Sequence, residues 1–194
     1  MLTDRVAFVV IDGGGRQRGP HACHCYRPRS AQHGCAAPRS AGNKRGYPWE
    51  RRCKQAALVY CDLANHLVEG ASPVQALAWA LDESPVDDDV ADVLRAGPRS
   101  RPQSLDTSGY VLATLGVAVW ALCSGLGFEE ALVTVVNLGG DADTTGAVAG
   151  GLLGAHYGRG AVPSRWAGTI AYGTEVSALA SALSALRLRS PGLA

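Results

Sequence analysis

The sequence TSGYVLATLGVAVWALCSG, at residues 107–125, is the stretch that most constrains the fold. A helix with this sequence is apolar on nearly every side, so other elements must cover it all round. Its apolar run is shorter than the roughly 20 residues that a membrane-spanning helix needs. We therefore predict a buried central helix, in a chain whose 194 residues suit one domain with a real core.

The sequence on both sides of this stretch also predicts helices. Ser72 followed by Pro73 is typical of a helix start, and Gly70 is typical of a helix end. No convincing alternating strand pattern follows residue 55. The other predicted helical segments are 55–70, 71–83, 84–97, 127–140, 141–158, a short one around Trp166, and 174–189. The predicted fold class is all-α.

The N-terminal part of the chain differs from the rest in charge. Residues 1–54 contain 11 Lys and Arg against 3 acids, whereas residues 55–194 contain 7 against 14. The net charge of the whole chain is only +1, which gives no overall field that indicates a nucleic-acid or membrane partner. We assign residues 1–53 to an irregular basic segment and residues 54–194 to the helical domain.

Residues 16–53 show neither a helical nor a strand period, and more than one interpretation is open. They can form a disordered basic tail. They can also form a metal knuckle from His21, Cys23, His24 and Cys25, although zinc ligand pairs are usually spaced by two or more residues. A third interpretation depends on motifs near the other end of the chain.

The cysteines and the chain start bear on the compartment. Four of the six cysteines lie in residues 1–53, and Cys61 and Cys123 lie in helical apolar patterns. This distribution favours reduced thiols over a disulfide framework. The first residues lack the small-residue cleavage pattern of a secretory leader. We therefore expect a cytoplasmic protein.

Two acids stand one residue apart at the start of a predicted helix, in the sequence GGDADTTGAVAGG. Asp141 can cap this helix, but a cap explains only one of the two acids. Asp143 would repel it unless a cation neutralises both. With the Thr144 hydroxyl they form a set of hard oxygen ligands, which suits Mg²⁺, Ca²⁺ or Mn²⁺. Gly139 and Gly140 are expected to let the backbone turn close to this site.

The helix that follows is rich in small residues, at Gly146, Gly150, Gly151 and Gly154 among others. Glycine is a poor helix former, so we expect neighbouring elements to pack very close to this helix. His156 and Tyr157 lie at its far end, about 20 Å from the acids at 1.5 Å per residue, and are interpreted as structural.

The stretch VNLGGDADTTGAVAGGLLGAHYG, followed by VPSRW, resembles the C-terminal signature of the ADP-ribosylglycohydrolase family, which includes the dinitrogenase reductase-activating glycohydrolases. The resemblance extends over about residues 53–185, and SGYVLATLGVAVWAL is similar to a preceding helix of the family. It implies an all-α fold with two divalent ions in a central cleft, usually Mg²⁺ and with Mn²⁺ as an alternative. The implied metal ligands are Asp141, Asp143 and Thr144, and Gly109 and Tyr110 match a stretch near the ligand.

The resemblance also implies an activity, which is hydrolysis of the glycosidic bond between ADP-ribose and a protein side chain or small acceptor. The expected partner is an ADP-ribosylated protein or an ADP-ribose derivative, bound by a monomer without nucleic acid or membrane. However, the upstream T-D-D-T stretch, the glycine loop G-N-G-S-L-M-R and the Thr-His pair of the family are missing. The run Asp87-Asp88-Asp89 is better interpreted as a solvated helix start. The domain is therefore expected to be truncated on its N-terminal side, and a non-catalytic remnant with half of the metal site is the alternative.

The missing motifs suggest the third interpretation of residues 16–53, which is a frameshift. Codons chosen freely for residues 16–23 encode G-N-G-A-P-M-R when they are shifted by one base. The same shift turns codons for residues 47–49 into T-H-G. An insertion or deletion near codon 15 and a compensating one near codon 53 would then explain the unusual Arg, Pro, Cys and His content of this segment.

Overall fold

The computed structural model describes residues 48–84 and 86–188. These residues form helices and connecting loops without a β-strand, so the predicted all-α class is confirmed for them. The helices are α1 (Pro48–Val68), α2 (Pro73–Glu83), α3 (Asp88–Ala96), α4 (Val111–Cys123), α5 (Phe128–Asn137), α6 (Ala142–Tyr157), α7 (Ser164–Ala167) and α8 (Gly173–Leu188). Short 3₁₀ turns follow α3 and α6.

Helix α1 begins at Pro48 and so includes residues 48–53, which the sequence analysis places in the irregular basic segment. The helical domain therefore starts before residue 54. The three interpretations of the remaining part of that segment, including the cysteine and histidine cluster, concern residues 16–47, which lie outside the described residues.

Helix α2 shows how local sequence determines where a helix begins. The Ser72 hydroxyl accepts a hydrogen bond from the Gln75 backbone N–H at 3.3 Å, and Gln75 Oε1 accepts one from the Ser72 N–H at 3.1 Å. This reciprocal pair satisfies two N–H groups that the helix itself cannot bond. Gly70 ends the preceding segment with a φ of 101°, a left-handed conformation that favours glycine. The predicted boundary between α1 and α2 is confirmed.

Helix α4 is the buried central helix that the sequence predicts. Val117, Ala118 and Val119 in its middle have no exposed surface. The helix packs against α6, which in turn contacts α5 and α1. Leu152 and Leu153 of α6 are also fully buried. Helix α6, whose first turn carries the two acids, is therefore part of the described core.

The glycines of α6 do not all reflect close packing. A Cβ added at Gly146 would lie 3.2 Å from Val136 Cγ2, a tight contact with α5. A Cβ added at Gly150 would lie 3.7 Å from Leu132 Cδ1, which is an ordinary van der Waals contact. The expectation of very close packing therefore holds at Gly146 and is wrong at Gly150, where the neighbouring Leu side chain leaves room for a methyl group.

Replacing Gly150 with Ala is expected to stabilise the protein. Alanine gains about 0.5–1 kcal/mol over glycine within a helix, and no clash offsets this gain. Urea unfolding followed by circular dichroism measures the change. Gly146→Ala is the matched control and is expected to gain less, because its new methyl group presses on Val136. A loss of stability in Gly150→Ala would contradict the packing described here.

Three cysteines lie within the described residues. Cys53, Cys61 and Cys123 are not in disulfides, as the sequence predicts for the last two. Within the residues that the structure describes, no helix has the length and apolar character required to cross a lipid bilayer.

Candidate metal site

Two consecutive glycines form the turn that leads into α6. Gly139 has a φ of 76° and Gly140 a φ of 67°, and both values lie in the left-handed region. Residues with a Cβ rarely adopt this conformation, so glycine is favoured at both positions. The chain reverses here between the end of α5 and Asp141, as the sequence analysis expects for these two residues.

Asp141 occupies the N-cap position of α6, but its side chain makes no capping hydrogen bond. The cap alternative is therefore wrong for this carboxylate. Its Oδ2 lies directly against the Cα of Gly109, where an added Cβ would overlap it and lie 3.0 Å from Asp141 Cγ. The carboxylate is turned towards the loop before α4. Only the Asp141 backbone carbonyl bonds forward into the helix, accepting from the Thr145 N–H at 3.0 Å.

Asp143 is exposed in the first turn of α6 and forms a pair with Asp141. Its pKa lies below the ordinary value, mainly because of a hydrogen bond with the Asp141 carboxyl group. The backbone N–H groups of Asp143 and Thr144 lower this pKa further. Two carboxyl groups this close hold either a shared proton or a cation between them. Thr144 is half-buried next to the pair.

The loop of residues 106–110 holds Asp141 in place. The Asp141 N–H donates to the carbonyl of Thr107 at 2.8 Å. The loop is itself shaped by Asp106, whose Oδ1 accepts from the Ser108 N–H at 2.9 Å. Hydrogen bonds from the side chain and backbone of Ser108 lower the pKa of Asp106. The sequence analysis missed Asp106 and Thr107, although Asp-x-Ser is a typical turn-forming signal.

Gly109 and Tyr110, which are adjacent in the loop, lie near different residues. Gly109, with a φ of 79°, contacts the Asp141 carboxylate, so the structure brings this residue to the acid pair. Tyr110 precedes α4 and is 45% exposed. The pKa of Arg52 is raised mainly by its hydrogen bond and ion pair with Asp89, and to a smaller extent by Tyr110. The Tyr110 side chain therefore lies near Arg52 of α1.

The acids 87–89 do not join the pair at α6. They lie at the start of α3, where Arg51 Nη2 contacts Asp87 Oδ1 at 2.6 Å and Arg52 pairs with Asp89. The predicted helix start is confirmed, with arginine partners for two of its acids. Within residues 48–84 and 86–188, no three His, Cys, Asp or Glu side chains come together in a group that could hold a metal ion.

The donor set fits one wall of a divalent-cation site. The paired carboxylates and the hydroxyl of Thr144, the next residue in the sequence, are hard oxygen donors, and the Asp141 carboxylate is not used for capping. A cation between them would need further oxygen ligands, such as water molecules. At the far end of α6, the Tyr157 hydroxyl donates to the Leu126 carbonyl at 2.7 Å, and its ring lies 4.5 Å from that of His156. These contacts tie the helix to the loop before α5 and agree with a structural interpretation.

Comparison with known proteins gives one family. A family model described as ADP-ribosylglycohydrolase matches residues 48–192. An ADP-ribosylarginine hydrolase Tri1 of Pseudomonas putida (strain GB-1) is 39% identical over 85 residues. A second Tri1, from Serratia proteamaculans (strain 568), is 29% identical over 137 residues. An ADP-ribosyl-[dinitrogen reductase] glycohydrolase of Rhodospirillum rubrum is 42% identical over 65 residues.

These matches cover more of this chain than of the relatives. They span 44%, 68% and 34% of this chain, but only 23%, 37% and 22% of the three relatives. A solved structure, called an ADP-ribosylglycohydrolase-related protein complex, matches with a TM-score of 0.63 and 38% identity. It covers 69% of this chain and 47% of the solved one.

Proposed function

The chain belongs to the ADP-ribosylglycohydrolase family, and from this premise we propose that it is a metal-dependent hydrolase of ADP-ribosyl linkages. The observation that carries the proposal is the pair formed by Asp141 and Asp143 at the start of α6. Hydrogen bonds from backbone N–H groups of the first turn explain Asp143 without a ligand, but the Asp141 side chain makes no capping bond and so has no such explanation. Its carboxyl group is instead hydrogen-bonded to that of Asp143.

The proposed metal ligands are the carboxylates of Asp141 and Asp143 and the hydroxyl of Thr144. Mg²⁺ is the proposed ion and Mn²⁺ the alternative, because both prefer oxygen ligands. When bound, such an ion supplies positive charge that orients ribose hydroxyls and an attacking water. The described ligands make up one wall of the site, so a second ion of the pair implied by the resemblance would need ligands from elsewhere.

Residues of the neighbouring loop are proposed to contact the substrate. Gly109 has no side chain and so lets the backbone approach the acid pair closely. Tyr110 presents a partly exposed aromatic ring beside Arg52, and such a ring can stack against a base or a ribose. The loop would thus hold the nucleotide part of the substrate while the acids act at the ribose.

The proposed substrate is a protein that carries ADP-ribose on an arginine side chain. This choice follows the names of the two Tri1 relatives, which are ADP-ribosylarginine hydrolases. An ADP-ribosylated dinitrogen reductase is the corresponding choice from the third relative. A monomeric state, a cytoplasmic location and the absence of nucleic-acid or membrane partners stay predictions.

A second candidate function is binding without turnover, by a chain that keeps half of the metal site. It is favoured by the lack of a third His, Cys, Asp or Glu side chain near the pair among the described residues. Such a chain would bind a cation or ADP-ribose and leave the glycosidic bond intact.

The two candidates differ in whether free ADP-ribose is released. We expect the full chain to release it from an arginine-ADP-ribosylated protein in Mg²⁺, to stop in EDTA, and to resume when Mg²⁺ or Mn²⁺ is returned. A protein modified on serine serves as the matched substrate and tests the linkage. Binding of ADP-ribose without release at any Mg²⁺ concentration would contradict the hydrolase and support the second candidate.

A further inference from the structure

We propose that the loop of residues 106–110 positions the acid pair. The positioning residues are Gly109, which lies in the loop, and Gly140, which lies just before α6. The proposal rests on the proposed metal site at Asp141 and Asp143. It assigns to Gly109 a role in setting the metal ligands, in addition to any contact of the loop with substrate.

A backbone hydrogen bond joins the loop to the start of α6. The Thr107 carbonyl accepts from the Asp141 N–H at 2.8 Å. An N-cap N–H has no partner within its own helix, so this bond satisfies it from a segment that is distant in sequence. The bond fixes the backbone of Asp141 relative to the start of α4.

Two glycines allow the loop and the start of α6 to approach each other closely. An added Cβ at Gly140 would overlap the carbonyl and the hydroxyl oxygens of Thr107 and would lie 3.0 Å from Thr107 Cβ. An added Cβ at Gly109 would overlap Asp141 Oδ2 and lie 3.0 and 3.1 Å from its Cγ and Cβ. Each segment thus provides a glycine at the place where the other presents a side chain.

The direction of the Asp141 carboxylate depends on the loop. It makes no bond to the N–H groups of α6, so the helix itself does not hold it. Contact with the Cα of Gly109 on one side and with the Asp143 carboxyl group on the other leaves it little freedom. The loop therefore sets the separation between the two carboxylates, which a cation of defined ligand distance requires.

The test measures Mn²⁺ and Mg²⁺ affinity of the full chain by calorimetry, with Gly109→Ala and Gly140→Ala as the variants. Each is expected to lower metal affinity by about tenfold or more, as loss of a supporting group around metal ligands commonly does. Gly140→Ala acts from the opposite side of the contact, so the two variants check each other. Circular dichroism confirms that each variant is folded.

Gly125→Ala is the matched control. Gly125 has a φ of 75°, close to that of Gly109, but nothing lies within 4 Å of an added Cβ. It carries the same backbone cost without a clash and lies in the connection between α4 and α5. We expect this variant to lose stability and to keep wild-type metal affinity.

The outcomes separate this proposal from the proposed function. Wild-type affinity in a folded Gly109→Ala or Gly140→Ala variant, or an equal loss in Gly125→Ala, overturns the positioning role and leaves the metal site standing. Absence of Mg²⁺ and Mn²⁺ binding in the wild-type chain overturns the metal site itself, and the positioning role with it.

Discussion

Replacing Asp141 with Asn is expected to abolish metal-dependent hydrolysis without destabilising the metal-free protein. The change removes one ligand charge and keeps the size of the side chain. Replacing a group that merely supports metal ligands already costs about 10–100-fold, so we expect the release of ADP-ribose in Mg²⁺ to fall by more than about 100-fold. In EDTA the midpoint of thermal unfolding is expected to be unchanged, because the Asn side-chain amide can donate the hydrogen bond that the Asp141 carboxyl group makes with Asp143.

The stability measurement is the control that distinguishes a metal ligand from a helix cap. Loss of a capping side chain costs about 0.5–2 kcal/mol whether or not metal is present. The structure shows no capping bond from Asp141, so no such cost is expected in EDTA. A clear loss of stability in EDTA, or wild-type hydrolysis in Mg²⁺, would contradict the assignment of Asp141 as a metal ligand.

Replacing Leu152 with Ala is expected to cost about 2–5 kcal/mol of unfolding free energy, the range for a leucine deleted from a packed core. Leu152 has no exposed surface and lies in α6, which packs against α4, α5 and α1. A domain has only about 5–15 kcal/mol of stability, so the variant is expected to unfold at a much lower urea concentration.

Leu179→Ala is the matched control for this prediction, since it deletes the same atoms from a leucine that is 56% exposed in α8. We expect its stability to change by no more than about 0.5 kcal/mol. Equal losses in the two variants would contradict the difference in burial between Leu152 and Leu179. Urea unfolding followed by tryptophan fluorescence measures both.

Much of the fold follows from local sequence. The Ser72 cap and the Gly70 helix end depend on neighbouring residues only, so the boundary between α1 and α2 is predictable. The all-round apolar character of Val111–Cys123 predicts a buried helix without knowledge of its partners. The pairing of Asp141 with Asp143 is also local, because both residues lie within one turn of the same helix start.

The rest depends on contacts between segments that are far apart in the sequence. The contact of Gly109 with Asp141 cannot be deduced from either segment alone, and it is this contact that turns the carboxylate away from the helix. The room beside Gly150 depends on how Leu132 of α5 packs against it. A glycine in a sequence shows that a side chain is absent but does not show what occupies the space.

The structure also shows why the acids at the start of α3 differ from those at the start of α6. Asp87 and Asp89 are separated by one residue, as Asp141 and Asp143 are, and the sequence analysis interprets their run as a solvated helix start. In the structure each has an arginine partner from α1, whereas Asp141 meets another carboxylate. The partner of each acid, which only the fold reveals, separates a neutralised surface pair from a candidate cation site.

The central claim is that Asp141 and Asp143 together bind a divalent cation, and electron paramagnetic resonance of Mn²⁺ tests it most directly. Free Mn²⁺ gives a strong signal in solution that decreases when the ion binds to protein. We predict that the full wild-type chain decreases this signal, that added Mg²⁺ restores it, and that Asp141→Asn and Asp143→Asn chains leave it close to that of free Mn²⁺. A wild-type chain that does not change the signal, or variants that change it as much as the wild type, would contradict the claim.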